Sequence, residues 1–128
     1  MKKKSIWLID DDAIYKIVMK KIISNLGLLD STTTFSNGEE AIKALVLALE
    51  NQTNIPDVIL LDIEMPIMDG WGFMEEFQKI ESDIKRNIII YISSSSIAFE
   101  DKNKAKNNKL ITGYMSKPIK KEDLALII

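Results

Sequence analysis

"LLDIEMPIMDG", residues 60–70, is the stretch whose reading decides the fold. With the residues before it, "DVILLD" at 57–62 is continuously apolar up to its last position rather than alternating. That pattern marks a strand covered on both faces, the signature of a parallel sheet. The run ends on an acid, Asp62, and a turn of Pro, Met and Gly follows at once. A carboxylate there either caps the next helix or lies where open parallel sheets place their sites, beyond the strand ends.

The same grammar extends in both directions. Strand-like runs occupy 5–9, 31–35, 87–93 and 110–117. Between them, Ile14, Ile17, Val18, Ile22 and Leu26 recur on one helical face until Gly27. A helix over 36–51 has Asn37 as N-cap, acids in its first turn and a stripe of Ala41, Ile42, Leu45, Ala48 and Leu49. Phe73, Met74, Phe77 and Ile80 define a third helix over 70–80, and 100–108 is a weak, polar helix. "KKEDLALII" opens a last helix of barely two turns, either short or truncated at the chain end. Strands alternating with helices predict an α/β fold, a five-stranded doubly wound parallel sheet of (βα)5 type with helices on both faces. The 128 residues contain no repeat and no linker and predict a single domain over 1–128.

Composition narrows the chemistry. There is neither Cys nor His, which excludes disulfides, thiol nucleophiles, imidazole ligands and a phosphohistidine carrier. A net charge of −2 gives no pull toward nucleic acid or anionic membrane. No apolar run approaches the roughly 20 residues of a membrane span, and Ile6–Ile9 is too short for a signal peptide, so the expected location is cytoplasmic. The strand ends carry Asp10, Asp11 and Asp12, then Asp62, Ser93 and Lys117. Clustered carboxylates repel, and a hard divalent cation relieves the conflict. A cation, a hydroxyl and an ammonium together neutralise a phosphoryl group in transit, and a central carboxylate can be its acceptor.

"LIDDD" at 8–12, "LLDIEMPIMDG" at 60–70, "YISSS" at 91–95 and "GYMSKP" at 113–118 occur in order, each closing a predicted strand. In this the chain resembles the response-regulator receiver domains of two-component signalling, over essentially its whole length. The resemblance implies a flavodoxin-like sheet of order 2-1-3-4-5, and Asp62 as phospho-acceptor. It implies Mg²⁺, or Mn²⁺, held by Asp10, Asp11, Asp62 and the backbone carbonyl of Glu64, with Asp11 the direct ligand and Asp10 acting largely through water. Ser93, or Ser94 as the alternative within the serine run, and Lys117 then contact phosphoryl oxygens, Ser93 and Tyr114 form the switch, and the Lys117–Pro118 bond is cis. Gly70 matches the turn glycine before the third helix, for close backbone approach or positive φ. The implied protein is a stand-alone switch and no turnover enzyme, although it catalyses its own phosphorylation and dephosphorylation. Its implied partners are a sensor histidine kinase or histidine phosphotransfer protein and a downstream protein target, with self-association a further output.

Three other readings compete. "LIDDD" fits the Asp-x-Asp of haloacid-dehalogenase-like phosphatases, with Asp10 as nucleophile and Asp12 as acid/base, but leaves 60–70 unexplained. A receiver-like adaptor that is never phosphorylated would not need the full residue set. An FMN protein would need a phosphate loop where this chain has acids. Simpler roles stand beside these: Asp12 as helix cap, Trp7 as core, Trp71 as a neighbour of the site, and Lys102, Lys104, Lys106 and Lys109 as a solvated face.

Overall fold

A computed structural model describes residues 4–27, 32–95 and 99–127. Ser31, Ser96 and Ile128, which the sequence reading placed in a strand, a serine run and the last helix, lie outside the described residues. The elements are β1 (Ile6–Ile9), α1 (Ala13–Asn25), β2 (Thr32–Phe35), α2 (Gly38–Asn51), β3 (Val58–Asp62), α3 (Gly70–Lys79), β4 (Ile89–Ser94), α4 (Phe99–Asn107), β5 (Gly113–Ser116) and α5 (Lys121–Ile127). The strands are parallel, in the order β2-β1-β3-β4-β5. This is the expected architecture.

Alternation along the strands divides the core in two. Ile6 and Leu8 of β1 and Val58 and Leu60 of β3 pack with Met19 and Ile23 of α1 and Leu124 of α5. Trp7, Ile9, Ile59 and Leu61 point the other way, to Leu45 of α2, Phe73 and Phe77 of α3 and Ala105 of α4. Both faces of β3 are therefore dry, which is why its sequence is an unbroken apolar run. Trp7 belongs to this core, its ring 4.6 Å from that of Phe35.

The helix starts obey their caps. Asp12 accepts a hydrogen bond from the Tyr15 amide, Asn37 from Glu40 and Asp69 from Gly72. One face was misassigned from sequence. In α1, Ile14 and Ile17 are 75% and 68% exposed and Val18 is half-exposed, while Met19 and Ile23 are buried, with Tyr15, Ile22 and Leu26 partly so. Positions 15, 19, 22, 23 and 26 satisfy the helical period as well as 14, 17, 18, 22 and 26 do, so periodicity alone could not choose between them. Two boundaries also shift. Residues 84–87 form a 3-10 turn ahead of β4, and β5 begins at Gly113 rather than 110.

The loop after β3 is locked by close backbone packing. The Gly70 amide donates to the Ile63 carbonyl at 2.9 Å, and the Gly38 amide to the Met68 carbonyl at 2.9 Å. A Cβ on Gly70 would stand 2.4 Å from the Asp62 carbonyl oxygen. Of the two reasons anticipated for this glycine, close approach is the one that applies. Ile67, 76% exposed and β-branched, takes a φ of 70° at the loop tip. Replacing Gly70 by Ala is expected to destabilise the protein by about 2–4 kcal/mol, because backbone rather than a flexible side chain must give way; urea denaturation would measure it.

Candidate functional site

Strand parity builds the site. Asp10 continues the Ile6, Leu8 face of β1, and Asp62 continues the Val58, Leu60 face of β3. Asp62 lies opposite Ser93 across the β3–β4 ladder. Lys117 follows β5 two positions after Met115, which is opposite Ser93 and packs with the same core. Four predicted site residues thus come to one rim, on the face that α1 and α5 cover.

Their contacts are short. Lys117 Nζ lies 2.5 Å from Asp10 Oδ2 and 3.5 Å from Asp62 Oδ1. Asp10 Oδ1 accepts from the Asp12 amide at 2.9 Å, and Asp62 Oδ1 from the Ile63 amide at 3.0 Å. Asp10, Asp62 and Ser93 are buried, while Asp11 and Glu64 are exposed. One carboxylate oxygen from each of Asp10, Asp11 and Asp62 lies within 4.8 Å of the others. Such a set of hard oxygen donors fits a divalent cation. The Asp62 carboxyl is pushed up to about 6, by burial first and by the Asp10 charge second, with Lys117 opposing. The Lys117–Pro118 peptide is cis, as expected.

The sequence reading missed Tyr15. Lys117 Nζ sits 4.2 Å from the centre of its ring. Its hydroxyl is shut off from solvent without a formed hydrogen bond. The Ser93 side chain lies beside it and exerts a weak hydrogen-bonding pull, without reaching the geometry of a formed bond. Burial first, and the Asp10 carboxylate second, push the phenol above its ordinary pKa, so it remains a proton donor. A signal was available: Tyr15 lies one turn beyond its cap Asp12, where the first turn of a helix overhangs the preceding strand end.

Two outlying predictions are also placed. Tyr114 is 45% exposed, with Lys102 Nζ 5.5 Å from its ring centre. Trp71 reaches α4 instead of the acids: its Nε1 donates to Asp101 Oδ1 at 3.0 Å, and Lys104 Nζ lies 5.3 Å over the ring. Lys102 and Lys104 are both exposed, as a solvated face requires, and each lies over an aromatic ring.

The family model of the response regulator receiver domain matches residues 6–128. The chain belongs to this family. Among curated relatives it is similar to the sensor histidine kinase CheAY of Helicobacter pylori, 32% identical over 122 residues, covering 94% of this chain and 14% of that protein. It is also 34% identical over 79 residues to the DNA-binding transcriptional regulator NtrC of Escherichia coli K12, covering 62% of this chain and 15% of that protein. The receiver thus spans about a seventh of the length of these relatives. Among solved structures, a two-component response regulator from Cytophaga hutchinsonii superposes with a TM-score of 0.88 at 29% identity, covering 98% of this chain and 95% of that one. The chain is therefore a receiver domain of two-component signalling, a switch-type module. The phosphatase alternative, with Asp10 as nucleophile, has no support beside this match. Among the described residues, no helix is long and apolar enough to cross a membrane.

The raised Asp62 carboxyl sets a pH dependence with a definite sign. A carboxyl whose pKa rises on folding contributes stability below its unfolded value, and that contribution is lost as pH climbs from about 4 through about 6. Without metal, Asp62→Asn is therefore expected to be more stable than wild type at pH 7.5 and no more stable at pH 4. A two-unit shift sets this difference at up to roughly 3 kcal/mol. Thermal melts in EDTA at the two pH values test it.

Proposed function

We propose that this receiver accepts a phosphoryl group on Asp62, and that Mg²⁺ or Mn²⁺ at Asp10, Asp11, Asp62 and the Glu64 carbonyl is required. The observation that carries the reading is the convergence of three carboxylates within 4.8 Å with Lys117 lying between two of them. A bound divalent cation supplies the positive charge that an incoming phosphoryl group needs among acids. The chain's own groups do the rest. Asp62 is the nucleophile, held still by the dry strand behind it and by the Ile63 amide. Lys117 leaves Asp10 to pair with a phosphoryl oxygen, and Ser93, in register with Asp62, binds another. The phosphorus–donor bond breaks as the Asp62 oxygen–phosphorus bond forms, and hydrolysis by water at the same site reverses the signal.

The donor is a histidine kinase or a histidine phosphotransfer protein. Ile14, Ile17 and Val18 form an exposed apolar face on α1, contiguous with the acids at Asp11 and Asp12. A protein that brings a phosphohistidine to Asp62 must rest on this rim, and exposed apolar side chains there suit a partner. Output follows from Ser93 moving toward the phosphoryl group and Tyr114 turning inward, which alters the α4–β5–α5 surface for a protein target or a second copy.

Incubation with acetyl phosphate should add one phosphoryl group, only with Mg²⁺, and peptide masses should map it to Asp62. Asp62→Asn should abolish the adduct; wild-type labelling of that variant would show that another residue accepts. Lys117→Ala should keep labelling but lose the change in Trp71 emission that reports α4. Ile17→Asp should slow transfer from a phosphohistidine donor by roughly tenfold while acetyl phosphate labelling stays unchanged. Equal slowing with both donors would show that this face plays no docking role.

A further inference from the structure

We propose that the Tyr15 hydroxyl is a phosphoryl-binding group, donating a hydrogen bond to a non-bridging oxygen of the phosphoryl group on Asp62; the inference rests on Asp62 being the acceptor. The backbone of Tyr15 is fixed by its cap, since its amide donates to Asp12 Oδ1 at 3.0 Å. Its ring flanks the ammonium of Lys117, which in turn lies against Asp10 and Asp62. The hydroxyl at the end of that ring is buried beside Ser93, with no formed hydrogen bond.

A buried hydroxyl left unpaired is unfavourable, and such an exception in a folded protein calls for a partner. Three of the four carboxylate oxygens of Asp10 and Asp62 are engaged elsewhere. Asp10 Oδ2 faces Lys117 and its Oδ1 accepts from the Asp12 amide, while Asp62 Oδ1 accepts from the Ile63 amide. A phosphoryl group on Asp62 introduces three strong acceptor oxygens beside Ser93, the residue that also neighbours the Tyr15 hydroxyl. The phenol keeps its proton throughout, so it binds without entering the transfer itself. It differs from Lys117 in supplying a neutral donor, from a helix rather than from a strand end.

The experiment is a titration with beryllofluoride in Mg²⁺, an unreactive mimic of a phosphoryl group on a carboxylate, read by ¹⁹F resonance. It compares wild type, Tyr15→Phe and Asp62→Asn, beside melts of the ligand-free proteins. Tyr15→Phe keeps the ring against Lys117 and removes only the hydroxyl. Its affinity should fall roughly tenfold, because a hydrogen bond to an anion is lost. Its ligand-free Tm should be unchanged or higher, because an unpaired buried hydroxyl is gone. Unchanged affinity overturns the inference. A weaker affinity with a lower ligand-free Tm also overturns it, since that is the mark of a packing role. Wild type that binds no better than Asp62→Asn would overturn the acceptor reading itself, a result separable from the other two.

Discussion

Two buried carboxylates, Asp10 and Asp62, end adjacent strands, and one ammonium holds them there. Like charges this close in a dry site disfavour ionisation, and burial adds to the cost. Lys117 offsets part of the conflict, and the remainder appears as the raised pKa of Asp62. The arrangement is thus charged and incompletely satisfied. Such a site has more to gain from a divalent cation than a fully neutralised one would. The sheet supports the conflict because β1 and β3, the strands that lead to the two acids, are dry on both sides and cannot relax toward water.

The loop between β3 and α3 shows the same rigidity. Met68 is wedged against Gly38 and Gly72, while Gly70 closes on the Asp62 carbonyl. Asp62 therefore has fixed backbone on both sides. The loop also holds Ile67 in the left-handed region, which for a β-branched residue stores about 1–2 kcal/mol. The surrounding contacts of Gly38 and Gly70 impose it.

The fold was legible because β1, β3 and β4 announce burial on both faces and the caps Asp12 and Asn37 stand in plain positions. The convergence of the candidate residues was legible for a related reason: parity along each strand puts Asp10, Asp62, Ser93 and Lys117 on one face, and the four motifs mark where the strands end. What failed was anything decided by tertiary packing. The α1 helix carries two apolar stripes, and only contact with β1, β3 and α5 selects Met19 and Ile23 over Ile14 and Ile17. Tyr15 was missed for the same reason: its position one turn beyond Asp12 was a signal, but its place beside the acids depends on which stripe turns inward. Trp71 was expected near the acids from its position after Gly70; its bond to Asp101 of α4 could not be read from that position.

That last contact bears on how α4 behaves. Among its described side chains, Ala105 is buried, while Asp101, Lys104 and Lys102 make electrostatic contacts: the Trp71–Asp101 bond, and the two lysines over the rings of Trp71 and Tyr114. Acids in its first turn and lysines in its last complement its dipole. Attachments of this kind weaken as the Debye length shrinks, from about 10 Å at 0.1 M salt to about 3 Å at 1 M. Hydrophobic burial in the sheet is not screened in this way. Rising ionic strength is thus expected to weaken these attachments of α4 while the parallel sheet that carries the acids keeps its apolar packing.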